Sequence, residues 1–221
     1  MKKYHIIFMF LLIITSVQAQ NIKKTRIAAN LSVGFTSIAG KERGSSFGGF
    51  GDGQNSSRTV LNFGITAEMP IVKRLHVQAG LQYKKAGFNQ SMSGSKDNLS
   101  INYLSLPVSL RYNLVQTGNF SFYIYGGLYV ATALNGKVST EYQGQTETKN
   151  LSFGDDKRRD FAKKVDFGHQ YGFGGEVNRI YVNLTVIDQS IINIQPQGNK
   201  SNSMKNSSFL FTVGYFFSKM K

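Results

Sequence analysis

The chain has 221 residues, with 26 Lys and Arg against 12 Asp and Glu, a formal charge of +14, and no cysteine. That length suits one domain, and the missing cysteines exclude disulfide staples, thiolate metal sites and cysteine nucleophiles. So basic a chain could meet nucleic acid, but its first residues point to export, where nucleic acid is not the expected partner.

The chain opens MKKYHIIFMFLLIITSVQAQ. Lys2 and Lys3 form a basic head, Ile6–Ile14 an unbroken apolar run, and Val17 and Ala19 the small residues of a cleavage site, so a signal peptide ending at Ala19 is expected. Nine apolar residues are too few for a helix that needs roughly 20 to span a bilayer. No later run approaches that length. The mature part, residues 20–221, is then either soluble beyond the inner membrane or a transmembrane barrel. With Lys2 and Lys3 removed it keeps 24 basic against 12 acidic residues, which suits phosphorylated lipopolysaccharide or another anionic surface.

Eight segments alternate with period two, near 25–40, 57–70, 74–87, 98–114, 119–133, 165–177, 179–190 and 207–218, and none shows helical periodicity. Connections after the second, fourth and sixth are short, at 71–73, 115–118 and about 177–178. Those after the first, third, fifth and seventh are long and polar, at 41–56, 88–97, 134–164 and 191–206. Strict alternation of short and long connections is the pattern of an all-β, eight-stranded antiparallel transmembrane β-barrel with short periplasmic turns and long extracellular loops. The faces agree. Leu75, Val77, Ala79, Leu81 and Tyr83 alternate with His76, Gln78, Gly80, Gln82 and Lys84, and Leu104, Leu106, Val108, Leu110 and Tyr112 alternate with Ser105, Pro107, Ser109 and Arg111. The apolar sets face lipid and the polar, glycine-rich sets fill the lumen. Tyr112, Phe120, Phe122 and Tyr215 fall near the short-turn end, as an aromatic girdle would. Pro107 cannot donate to a ladder, and a closed barrel has no edge to hold it, so a pairing defect is expected there.

Taken in order, FGITAEMPIVKRLHVQAGLQYKKAGF (63–88), INYLSLPVSLRYNL (101–114), YIYGGLYVATAL (123–134), VDFGHQYGFGGEV (165–177) and FLFTVGYFF (209–217), behind a leader ending Ala-Gln, resemble the PorT-type outer-membrane β-barrel family of Bacteroidetes. The resemblance spans nearly all of the mature chain. It implies an eight-stranded barrel in the outer membrane of a Gram-negative cell, inserted by the barrel-assembly machinery. One member of the family is linked to protein secretion and gliding machinery, which implies a secretion-system partner. The chain departs from many barrels in ending SKMK after Phe217 instead of on the terminal aromatic.

Chemistry is sparse. The glycine clusters at 45–57 and 168–176 lack the Gly-x-x-x-x-Gly-Lys-Ser/Thr of a phosphate loop and open no helix. His76 is inward and His169 outward on the expected register, so no nucleophile, base and orienter converge. No catalytic residue, cofactor or metal site is expected. The segment 155–164, DDKRRDFAKK, reads as a solvated loop. Turns at 71–73 and 177–178 set Glu68 opposite His76 and Glu176 opposite Arg179, all inward with Arg111. An eight-stranded barrel is just wide enough for side chains to fill, so Glu68, His76, Arg111, Glu176 and Arg179 are expected as a lumenal ion-pair plug near the periplasmic end. The alternative is that some of them reach periplasmic water. The expected function is a small non-enzymatic envelope component acting through loops or partners. A lipid-modifying or proteolytic barrel enzyme and a narrow channel are the alternatives.

Overall fold

Polar side chains fill the inside of this protein and apolar ones cover its outside. Leu106 and Val108 are each 53% exposed, while Ser105 and Ser109 on the same strand are 2% and 4% exposed. Burial is therefore inverted relative to a water-soluble sheet protein, and the inversion follows the period-two alternation of the sequence. The computed structural model describes residues 25–40, 54–92, 94–154, 163–189 and 204–218. The Ala19 cleavage point, residues 41–53 of the first long connection and residues 155–162 of the basic loop lie outside them.

Ten strands follow in chain order: β1 (Arg26–Gly40), β2 (Gln54–Ser56), β3 (Arg58–Val72), β4 (Leu75–Met92), β5 (Ser95–Thr117), β6 (Phe120–Tyr142), β7 (Gln145–Asn150), β8 (Val165–Val177), β9 (Ile180–Gln189) and β10 (Met204–Phe216). Eight of them close a ring, β1–β3–β4–β5–β6–β8–β9–β10 and back to β1, with every pairing antiparallel. The eight-stranded antiparallel barrel is thus the observed fold. The two short strands stand on its rim, β2 on β4 and β7 on β6.

Outward apolar residues on β5 run from Leu104 to Leu114. At about 3.3 Å per residue and a tilt near 45° they cover roughly 25 Å of height, the thickness of an outer-membrane apolar band. Tyr112, Phe120, Phe122 and Tyr215 are all exposed near the turn end. No helix among the described residues is long and apolar enough to cross a membrane, and strands of this kind do not need one.

The connections differ from expectation in a consistent way. Residues 88–97 are not a loop: β4 runs to Met92 and β5 starts at Ser95, so the hairpin closes in a tight turn. The stretch 134–164 is likewise no simple loop, because β6 continues to Tyr142 and β7 returns along it from Gln145. Gln143 and Gly144 join them with φ of 49° and 79°, the paired left-handed conformation of a two-residue hairpin. β4, β5, β6 and β7 therefore rise together as a ribbon above the apolar band. At the opposite end the turns fall at Lys73-Arg74, Gly118-Asn119 and Asn178-Arg179, two residues each, and not at 71–73, 115–118 and 177–178.

Pro107 sits inside an unbroken β5. Towards β6 its pairing with Tyr129 is intact. Towards β4 the ladder lapses between Ala79↔Val108 and Gln82↔Ser105, leaving out the two positions opposite Pro107 and Leu106, and resumes in the same register. The missing donor therefore interrupts one ladder without a bulge.

Candidate functional site: a lumen closed at two levels

The turn-end half of the lumen is closed by four charges. Arg26 enters from the start of β1, Glu68 from β3, Arg111 from β5 and Glu176 from β8, and each is buried. Arg111 Nη1 donates to Glu68 at 2.9 Å and Nη2 lies 2.9 Å from Glu176. Arg26 Nη1 lies 2.5 Å from Glu176, and its Nη2 donates to Glu68. Each carboxylate is thus held between two guanidinium groups in a closed, net-neutral circuit. Gln78 donates to Glu68 at 2.8 Å, while Asn113 and Ser121 accept from Arg111 at 3.0 and 2.9 Å. The ring of Phe216 lies 3.8 Å from the Arg26 guanidinium carbon, and that of Tyr123 3.6 Å from that of Arg111. Four ions leave water here only because partners and aromatic faces surround them.

Of the five residues expected in this plug, Glu68, Arg111 and Glu176 meet in it. His76 is buried and stands opposite Arg111 in register, but makes no hydrogen bond or ion pair with the four. Arg179 does not belong to the plug. It occupies the Asn178-Arg179 turn, half-buried, with its guanidinium donating to the Tyr215 hydroxyl at 3.3 Å. The register explains both departures. Glu68 faces Gln78 because the turn falls at Lys73-Arg74, later than expected, with a one-residue register shift between Pro70 and Val72 taking back part of the difference, and Glu176 faces Tyr181 because the turn starts one residue later than expected. Arg26 takes the place given to Arg179. Its signal was present in the alternation Arg26, Ala28, Asn30, Ser32, which puts Arg26 on the inward parity of the first strand.

Above the charges lies a polar layer. Asn30 donates to Thr66 at 3.0 Å, Tyr123 to Asn183 at 2.6 Å and Gln170 to Ser109 at 2.9 Å, and Tyr125 pairs with Thr185. All of these but Tyr123 line a cavity of about 60 Å³ that also touches Gln82 and Pro107. It has room for water and none for a nutrient-sized solute. Glycine makes this crowding feasible: a Cβ at Gly172 would collide with the Leu184 carbonyl and the Tyr125 ring.

The ribbon-end half is closed by apolar packing. Val60, Ala86, Phe88, Leu99, Ile101, Tyr103, Tyr129, Ala131, Ala133, Ile187 and Leu210 form one buried cluster, against which Val138 of the ribbon and Leu151 and Phe153, just past it, pack. Lys84 is buried inside it, its ammonium 3.7 Å from the centre of the Tyr129 ring and 5.9 Å from that of Tyr103. Tyr129 in turn donates to Asp166 at 3.2 Å. Neither Lys84 nor Asp166 stands out in sequence from other polar residues of inward parity.

His169 is exposed on the outside and stacks with Tyr171 at 6.1 Å. His76 and His169 therefore lie on opposite sides of the barrel wall. Among the described residues no group of three or more His, Cys, Asp and Glu could hold a metal ion.

In solved structures the chain is similar to the attachment invasion locus protein Ail of Yersinia pestis, at 12% identity, covering 88% of this chain and 99% of that one with a TM-score of 0.41. It is also similar to Neisserial surface protein A, at 10% identity, 86% and 96% coverage and a TM-score of 0.45. Outer membrane protein W of Escherichia coli gives 17% identity, 86% and 97% coverage and a TM-score of 0.40. No curated protein matches the sequence. Residues 18–194, most of the chain, match the family described as outer membrane protein beta-barrel domain, and with its closed ring of eight strands the protein belongs to that family.

Proposed function

We propose that this protein is a non-enzymatic component of the Gram-negative outer membrane, whose work is done outside the lumen by the rim ribbon and by partners. One observation carries the reading: the lumen is filled at two levels, by Arg26, Glu68, Arg111 and Glu176 at one end and by the Ile101–Tyr129 cluster at the other, while β5 and β6 run 23 residues each. Roughly 9–11 residues cross a bilayer, so residues 95–103 of β5 and 135–142 of β6, past Leu104 and Leu134, the last outward apolar side chains of the band, are available beyond the membrane. A filled eight-stranded barrel leaves no aqueous path, which argues against the channel alternative. The separation of His76 from His169 across the wall argues against a lumenal hydrolase.

Within this reading the short turns face the periplasm, the ribbon faces outward, the chain is inserted by the barrel-assembly machinery, and lipopolysaccharide is its neighbour. The PorT-type resemblance adds the finer proposal of a partner in secretion or gliding machinery, recognised through the ribbon. The test is reconstitution in planar bilayers with insertion checked by heat-modifiable gel mobility. Inserted protein is expected to give no stepwise conductance, and discrete steps from the wild-type chain would return the channel reading.

A further inference from the structure

The ribbon carries an ordered change of chemistry along its outward face. Leu104 and Tyr83 stand opposite each other at the upper limit of the apolar band on β5 and β4. Two residues higher on each strand, Lys85 and Asn102 share that face, with Asn135 in register on β6, and Lys137 follows one row above, opposite Ser100. Asn102 donates to Asn135 at 2.6 Å, and Lys137 is exposed. Higher still, Asn89, Asn98, Ser139 and Thr148 are in register across four strands, as are Ser91, Lys96, Glu141 and Thr146.

The two upper rows line a groove of about 370 Å³ without a single large apolar side chain. Its floor is held in place. Asn98 donates to Asn89 at 2.7 Å, Arg58 donates to Asn98 at 2.5 Å, and Ser139 pairs with Thr148 at 3.0 Å. Amide and hydroxyl groups fixed at strand spacing offer donors and acceptors without an ordering cost on binding.

Heights decide what could lie there. At about 3.3 Å per residue and 45° of tilt, Asn102 stands roughly 5 Å and Asn98 roughly 14 Å above Leu104. The polar interface of a bilayer leaflet is about 5–7 Å deep. The row of Lys85, Asn102 and Asn135 therefore coincides with headgroup phosphates, Lys137 at roughly 9 Å reaches down to them from the next row, and the groove meets what is attached beyond. Resting on the outer-membrane reading above, we propose that this face docks a phosphorylated glycolipid of the outer leaflet. Its acyl chains would lie on the band at Leu104 and Tyr83, its phosphates on Lys85 and Lys137, and its sugars in the groove floored by Asn89, Asn98 and Ser139. The 24 basic against 12 acidic residues of the mature chain favour the same partner.

The experiment uses the full mature chain in phosphatidylcholine nanodiscs, with insertion verified by heat-modifiable mobility. It is titrated with lipid A bearing core sugars, the same glycolipid dephosphorylated, sugarless lipid A, and phosphatidylglycerol. Wild type is expected to prefer the phosphorylated, sugar-bearing form. Lys85→Ala with Lys137→Ala should weaken it roughly tenfold or more and leave the dephosphorylated form unaffected. Asn98→Ala with Ser139→Ala should weaken the sugar-bearing form and spare sugarless lipid A. Variants that bind all four probes like wild type, or phosphatidylglycerol binding as tight as the glycolipid, would overturn the inference alone. Failure to enter nanodiscs would overturn the membrane reading and this inference with it.

Discussion

The two closures of the lumen seal the same barrel by opposite physics. At the turn end, Arg26, Glu68, Arg111 and Glu176 replace water with charge, and each member is tolerable only because the other three are present. At the ribbon end, Ile101, Phe88, Leu99 and Tyr129 exclude water by contact, and each contributes roughly in proportion to its own buried surface. The ionic closure is therefore cooperative and specific, whereas the apolar one is additive and forgiving of shape. They also differ in reach. Strands of the barrel wall supply the ionic closure entirely, whereas the apolar one borrows Val138, Leu151 and Phe153 from beyond it. Changes in the ribbon should reach the apolar closure and leave the ionic one alone.

The strongest test of this contrast is Arg111→Ala. Arg111 is completely buried and holds Glu68, Glu176, Asn113 and Ser121, so its loss leaves two carboxylates sharing one guanidinium. A destabilisation of roughly 3–5 kcal/mol is expected, read by urea unfolding in lipid vesicles. The double replacement Arg111→Met with Glu68→Leu removes one cation and one anion and leaves Arg26 paired to Glu176. It should cost clearly less than Arg111→Ala, because hydrophobic replacement of a complete buried pair is often close to neutral. A double variant as unstable as the sum of its single changes would mean that the circuit is not cooperative.

Ile101→Ala probes the other closure. Ile101 is fully buried in the apolar cluster, and a loss of about 2–5 kcal/mol is expected from transfer and cavity together. Combined with a second truncation distant within the cluster, such as Leu210→Ala, the losses should add. Marked non-additivity would erase the distinction between the two ends.

The inversion of faces was legible wherever strands cross the apolar band, because lipid on one side and a packed lumen on the other impose strict alternation, as at Leu104, Ser105, Leu106. Past the band that constraint ends. The tips of β4 and β5, SMSGSKD at 91–97, carry no apolar alternation and read as part of a loop, although they are paired up to Met92↔Ser95. Register at the turn end was lost for a different reason. Glu68, His76, Glu176 and Arg179 were matched by counting across assumed turns, and one residue of error in a turn changes every opposite partner. Turns at Lys73-Arg74 and Asn178-Arg179, each later than the assumed ones, supply such errors, and the shift at Pro70/Val72 takes back only one residue of the first. Inward parity survives these slips, which explains why Glu68, Arg111 and Glu176 still meet. Parity also marked Arg26, yet no counting across a turn could pair it with Glu176, since β1 and β8 are not neighbours in the barrel and meet only across the lumen.

The smallest expected effect sharpens the same boundary. Arg179 lies three residues from Glu176 and carries the charge that would suit it, yet its guanidinium donates to the Tyr215 hydroxyl at 3.3 Å and its carbonyl accepts from the Phe216 amide. If membership of the ionic closure depends on burial inside the circuit and not on proximity in sequence, Arg179→Ala should change unfolding free energy by no more than about 1 kcal/mol, the scale of one long, partly solvated hydrogen bond. The comparison with Arg26→Ala is the informative one. Both variants remove a single arginine near Glu176, but only Arg26 is bonded to it, so vesicle unfolding should separate them by several kcal/mol. Equal losses would place Arg179 in the circuit and make the turn, as well as the wall, part of what closes the barrel.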